Sequence, residues 1–437
     1  FLPFYQALEK AGAKSLNRAV SVRWPGGEEK VTLWSLSYQG VPLILLRHDK
    51  YFWRPGIYGE GGEGYKDNLQ RYSLMSKACL EAMKALELSP DIIHCHDWHT
   101  SLVLVYLKTL YSRDFPKTAT VLTIHNLGYQ GVEPGGTFPL LGLPQELFTP
   151  KTLEFYGNVN IFKGGIVFSD ALTTVSPTYA LEIQTPEFGF GLEGVLRDRS
   201  KDLYGILNGI DVNEWNPKTD PLLPARYDLR SLKGKTQCKS SLQESFGLDK
   251  DPRSLLVGMI TRLAEQKGLN LVLDVFDEII SLGIQIAILG TGDKKCEEAL
   301  KEKAGHHHGR AGVRIAFDNP LAHLIEAGAD VFLMPSKYEP CGLNQMMSLR
   351  YGTVPVVRAT GGLKDTVQEF DPSTEKGNGF TFQEFSSQAV LSALKRAQSV
   401  YKDQALWKAV VKNGMKEDHS WTASAQEYLS LYKKLLQ

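Results

Sequence analysis

Excess charge of one sign is absent from this chain: 49 Lys and Arg stand against 49 Asp and Glu, for a formal net charge of zero. That balance removes the electrostatic reason to expect nucleic acid or an anionic membrane as partner, so any bound anion has to be met by a local arrangement. Long apolar runs are missing too. None approaches the ~20 residues that a membrane-spanning helix needs. The opening Phe1-Leu2-Pro3-Phe4-Tyr5 has no basic stretch ahead of an apolar one, so no secretory signal is read there. Cysteine is sparse, with five residues spread singly at 79, 95, 238, 296 and 341. An odd, dispersed set argues against a disulfide framework and predicts free thiols in a reducing compartment. Internal repeats and low-complexity tracts are lacking as well.

What is present is a rhythm. Short apolar runs close on polar or glycine-containing loops and are followed by helical periods: Val41–Leu46, Ile92–Cys95, Ala119–Ile124 and Ala171–Val175, then Leu255–Ile260, Ile284–Leu289, Val313–Phe317, Val331–Met334 and Val354–Val357. That alternation predicts an α/β protein of parallel sheets covered by helices on both faces. At 437 residues one hydrophobic core is too few, and two lobes are expected. The turn-rich stretch Leu207-Asn208-Gly209-Ile210-Asp211 through Pro224 places the boundary near 205–230. An amphipathic helix is predicted over Trp421–Leu436.

Unusual polar residues gather after the strand-like runs, where open parallel sheets bind ligands. Ser336-Lys337-Tyr338-Glu339-Pro340-Cys341-Gly342-Leu343 follows Val331–Met334 and precedes a helical pattern opening at Gly342. This sets a carboxylate that can accept sugar hydroxyls beside a helix N-terminus that can seat an anion. Together these suggest a sugar nucleotide. Arg262 and Lys267 flank another such loop, from which both cations could reach one diphosphate; each charge-assisted bond would be worth roughly 1.5–3 kcal/mol. Thr360-Gly361-Gly362 offers a second phosphate contact ahead of a helix expected over Leu363–Phe370. His125 is a candidate for the wall facing the reacting sugar.

The cluster His94, His96, Asp97, His99 invites a metal reading, but strand alternation sends His94 and His96 to one face and Cys95 and Asp97 to the other, against convergence on one ion. His306-His307-His308 reads as a solvated loop, and Asp249-Lys250-Asp251, the only Asp-x-Asp, as a surface turn. No metal or other cofactor is expected.

In combination, six segments resemble the bacterial glycogen synthases and plant starch synthases: His96–His99, Thr123–Gly131, Gly205–Asp211, Arg262–Gly268, Glu339–Leu343 and Thr360–Thr366. The resemblance implies two Rossmann-like lobes facing a central cleft, the GT-B arrangement, with hinge closure and a final helix crossing back to the first lobe. Its domains would be 1–204 on the acceptor side, 205–415 for the nucleotide sugar, and 416–437 for the returning helix. It implies a retaining hexosyltransferase that moves glucose from ADP-glucose to the non-reducing end of an α-1,4-glucan or malto-oligosaccharide.

By motif, Arg262 and Lys267 would hold the ADP phosphates and Glu339 the glucose hydroxyls. His125 and Asp97 would face that glucose, with Asn208 close by. Cys341, Gly342, Leu343 and Thr360 to Gly362 would line the donor site, Phe317 would stack on the adenine, and Tyr58 would lie on the acceptor side. Met347 stands where related glycosyltransferases outside the family carry a second Glu. The family's Lys-x-Gly-Gly-Leu loop is expected ahead of Phe1, in a segment this sequence does not include. A bacterial source implies the cytoplasm, a plant or algal one the plastid stroma. Two rivals stand beside this reading: a catalytically silent glucan-binding scaffold, and a two-lobed sugar-nucleotide epimerase. Adenine and uracil stack equally on an aromatic, so the base stays open on physical grounds, as does oligomeric state.

Overall fold

The computed structural model describes residues 1–25, 27–60 and 63–437. The chain divides into two compact units, one of residues 1–174, 182–204 and 430–437, the other of 175–181 and 205–429. The main division falls at Gly205, within the turn-rich 205–230 stretch, and a seven-residue excursion at 175–181 joins the second unit. The predicted terminal helix, Trp421–Leu435, is shared, its residues from Ser430 onward clustering with the first unit.

Among the described residues the first unit holds two four-stranded sheets and two smaller ones. Ile92–His96, Ala119–Ile124 and Ala171–Thr174 run parallel, with Leu203–Gly205 next at the edge. Helices Asn68–Ala85 and Asp97–Thr109 belong to the same unit. The near-continuous burial of Val121, Leu122, Ile124, Ala171 and Leu172 is what a strand covered on both faces requires.

The other four-stranded sheet corrects an expectation. Val41–Arg47 is not the strand of a βα unit. It lies antiparallel to Gly27–Tyr38, itself antiparallel to Lys14–Trp24, with Leu2–Pro3 parallel on its far side. The physical reason is visible along the two longer strands: Val20, Val22, Val31 and Leu33 are buried, while Ser21, Arg23, Lys30 and Thr32 between them are exposed. Period-two alternation belongs to a half-solvated antiparallel sheet.

The second unit carries six parallel strands, Leu256–Ile260, Gln285–Gly290, Ala311–Ile315, Val331–Met334, Val354–Arg358 and Phe380–Phe382, in spatial order third, second, first, fourth, fifth, sixth. That is the doubly wound order, and it reverses direction between the first and fourth strands. Apolar residues of the strands and covering helices, such as Val257, Ile286, Val331, Phe276, Val390 and Leu394, form the core. Among the described residues no helix is long and apolar enough to cross a membrane. All five cysteines are free thiols.

Candidate active site

The reversal of strand order makes the loops after Leu256–Ile260 and Val331–Met334 neighbours across a crevice. The chain packs them tightly. Gly268, at φ +69°, ends the short turn Glu265–Lys267, and a Cβ there would stand 2.0 Å from the Pro335 carbonyl oxygen. No side chain fits between the loops. The Lys337 amide donates to the Gln266 carbonyl at 2.8 Å, and Gln266 Nε2 to the Tyr338 carbonyl at 3.3 Å. This lacing sets Lys267 Nζ 2.6 Å from Glu339 Oε2, an oxygen that also accepts from Ser336 Oγ at 2.9 Å. With side chains 19% and 9% exposed, the pair lies mostly out of water, where such contacts are strong and an unpartnered charge is costly.

Two adjoining cavities open there. One, of about 200 Å³, is bounded by Arg262, Lys267, Ser336, Glu339 and Gly342. The other, of about 320 Å³, is more apolar and adds Phe317, Thr291, Trp215 and Met347. Thr261, Arg262, Leu343 and Asn344 line both. Among the described residues the Arg262 guanidinium has no acceptor, so a second cation stands available beside Lys267. Phe317 is 96% exposed, an aromatic face held in water at the rim. Chemically, a compartment with two cations and a carboxylate suits phosphates and hydroxyls, and a neighbouring one with a bare ring suits a flat base.

The helix predicted from Gly342 begins two residues later, over Asn344–Tyr351, because Gly342 takes φ +70°. Burial pushes the Cys341 thiol up to about 12, opposed by the Asn208 backbone, which bonds to it. Asn208 Oδ1 is buried without a partner among the described residues. Thr360-Gly361-Gly362 leads into a helix of only six residues, Gly361–Thr366, rather than the longer one expected. Its glycines serve close packing: a Cβ at Gly361 would be 2.0 Å from the Glu339 carbonyl oxygen and one at Gly362 2.1 Å from that of Cys341. The Gly362 amide donates to the carbonyls of Glu339 and Pro340 at 3.2 and 3.1 Å.

In the first unit, the strand Ile92–His96 turns into its helix through Asp97, which adopts φ +57°. The Asp97 carboxylate accepts from the His125 amide at 2.8 Å. Burial pushes that carboxyl up, while the His125 ring and the amides of His125 and Asn126 pull the other way. His125 Nε2 lies 3.0 Å from His96 Nδ1. Tyr58, 57% exposed, sets its ring centroid 4.7 Å from that of His99, and the nearby Asp97 charge helps burial to raise its hydroxyl. Asp97, His125 and Tyr58 are thus brought together. His94 and His96 do share a face, their rings stacked at 4.4 Å.

Among the described residues no three His, Cys, Asp or Glu side chains converge as a metal-holding group. His307 pairs with Asp277 at 2.7 Å. Asp251 caps its own turn through the Arg253 amide and the Ser254 hydroxyl.

Three contributors were assigned no role from sequence. Ser336 holds Glu339, Asn344 lines both cavities, and Thr178 donates through its amide and hydroxyl to Asp365 at 2.9 and 2.6 Å. Ser336 stands three residues before Glu339 and was visible by spacing; Thr178, 187 residues from its partner, carried no local signal.

Known proteins bear on this geometry. The model of the starch synthase catalytic domain matches residues 1–198, and that of glycosyl transferases group 1 matches 241–416. The chain is 49% identical to the glycogen synthase of Anaeromyxobacter sp. (strain Fw109-5) over 97% of its own length and 88% of that protein. It is 45% identical to that of Koribacter versatilis over 100% and 90%. Among solved structures, the catalytic domain of starch synthase IV from Arabidopsis thaliana, bound to ADP and acarbose, superposes with a TM-score of 0.91 at 36% identity, covering 100% of this chain and 91% of that one. Sucrose-phosphate synthase from Thermosynechococcus elongatus, at 18% identity and a TM-score of 0.58 over 90% and 83%, shares the fold.

Proposed function

Because the chain belongs to the glycogen synthase and starch synthase family of glucosyltransferases, we propose that it transfers glucose from ADP-glucose to the non-reducing end of an α-1,4-glucan with retention of configuration. The observation that carries this reading is the Lys267–Glu339 pair beside the unpaired Arg262 in a cavity that adjoins the exposed Phe317. The two cations neutralise the diphosphate as the glycosidic bond breaks, which is stabilisation aimed at charge that develops in the transition state. Glu339, committed to Lys267 and Ser336, receives donor hydroxyls and is not a displacing nucleophile. Among the described residues no nearby carboxylate pair supports a double displacement. The departing phosphate therefore takes the acceptor's proton on the same face that the acceptor attacks.

Phe317 and the apolar cavity hold the adenine. Asn208 satisfies its buried oxygen on a glucose hydroxyl, and His125 and Asp97 serve the sugar from the first unit. With Arg262 and Lys267 supplying the positive charge, the transfer runs without a metal ion. The site of action is the cytoplasm, or the plastid stroma in a plant or alga.

The test is incorporation of labelled glucose into glycogen from ADP-glucose and UDP-glucose in competition, with and without chelator. Preference for ADP-glucose and an α-1,4 product that chelator leaves unaffected are expected. Absence of polymer-bound label from either donor overturns the reading.

A further inference from the structure

Three aromatic side chains of the first unit, His96, His94 and Tyr432, line up behind the candidate catalytic imidazole. His94 is clamped at both ring nitrogens, Nδ1 by Tyr432 Oη and Nε2 by Thr123 Oγ1, each at 2.6 Å. Thr123 Oγ1 is itself 2.6 Å from Thr173 Oγ1. The His94 ring stacks on His96 with an interplanar angle of 25°. His96 Nδ1 then meets His125 Nε2 at 3.0 Å.

We propose that His96 is a positioning residue for glucosyl transfer, fixing the ring orientation and the proton-bearing nitrogen of His125, with Tyr432 and Thr123 steadying it from behind through His94. The inference rests on the reading of His125 given above. Its physical core is a constraint across one hydrogen bond: where the two ring nitrogens meet, one must carry the proton and the other must accept it, so the proton position on His96 dictates which nitrogen of His125 faces it as donor or acceptor. His125 Nδ1, with no protein partner among the described residues, thereby presents a single character, donor or acceptor, to a substrate oxygen.

The two rings behind His125 lean toward the neutral form. Burial, with the neighbouring His96 and His125, pushes His94 down to about 3, and burial with the neighbouring His125 pushes His96 down to about 4. The role is orientational.

The experiment combines kinetics on the full chain with ¹⁵N-histidine side-chain spectra of the ligand-free protein. For His96→Ala we expect His125 to move from one tautomer to a mixture and kcat to fall roughly 10- to 100-fold, the size of effect that a loosened reacting group gives. The donor KM should stay within about three-fold, since the group acts on the transition state and not on uniform binding, and the melting temperature should not move. His96→Asn, whose amide stands where Nδ1 did, should recover most of kcat. Tyr432→Phe should show a smaller loss, and the double variant no more than His96→Ala alone, because both act through one stack.

An unchanged His125 spectrum with wild-type kcat in His96→Ala, or losses that multiply in the double variant, overturns the proposal. A failure of the parent reading looks different: the unaltered protein would not turn over ADP-glucose, while the spectra would still decide whether His96 governs His125.

Discussion

Asn344 Nδ2 reaches Glu326 Oε1 at 3.2 Å, which ties a residue shared by both donor cavities to a carboxyl sealed inside the helix Asn319–Gly328. The other carboxyl oxygen accepts from Ser348 Oγ at 2.5 Å. Burial pushes Glu326 up to about 8. The wall of the site is thus backed by a group that keeps its proton near neutrality.

Stability should report that proton. In the unfolded chain Glu326 ionises near the ordinary value of about 4.3, and in the folded one near 8. Between those values the unfolded state binds fewer protons, so the contribution is complete below about pH 4 and is lost as pH rises toward 8, by at most about 1.4 kcal/mol per pH unit. Lys235, pushed down to about 8 by burial, acts above that window. Glu326→Gln should therefore gain in melting temperature relative to the parent between pH 5 and pH 8. An equal difference at the two pH values would count against a buried neutral acid.

Lys267→Ala should lower kcat by about 10²–10³-fold, as removal of one preorganised charge donor does. It should also cost melting temperature, because Glu339 would be left buried with only Ser336. Glu339→Gln should keep more stability while still losing turnover. Near-normal rates in either variant would contradict the assignment.

Phe317→Ala tests the base site. An aromatic–base stack is worth about 1–3 kcal/mol, so the donor KM should rise roughly ten-fold, with Phe317→Tyr close to the parent. The melting temperature should not change, since the ring is 96% exposed. Calorimetric titration with ADP gives the same answer without turnover.

Gly268→Ala would push a methyl group into the Pro335 carbonyl and force an L residue to φ +69°. The backbone part alone costs about 1–2 kcal/mol. A lower melting temperature together with a loss of activity is expected. Activity intact at a reduced melting temperature would show that the two loops need not touch for Lys267 and Glu339 to work.

Much of the second unit was legible in advance. Val331–Met334 falls on its expected bounds and Leu256–Ile260 within one residue of them, because strands buried on both faces read as unbroken apolar runs. Arg262, Lys267, Glu339 and Phe317, which line the two cavities, stood out for the same reason, since they lie at or just after such runs, whereas Asn344 and Trp215 do not. The first 40 residues were not, and the strand expected at Val41–Leu46 was given the wrong partners. Lys14–Trp24 and Gly27–Tyr38 mix charged and apolar residues at period two and register as neither a helix nor a buried strand. Likewise, nothing near Thr360 announced that its glycines serve the carbonyls of Glu339 and Cys341, a relation set by tertiary approach.

The return of residues 175–181 to the second unit bears on how this molecule can be dissected. The backbone passes from one unit to the other at four places, so no single cut separates them. A product begun at Gly205 would leave Asp365 stripped of the Thr178 amide and hydroxyl that it binds. Restoring it calls for a permuted design with the short 175–181 stretch grafted back, and a truncated half that folds badly would speak of that missing graft and not of a weak core.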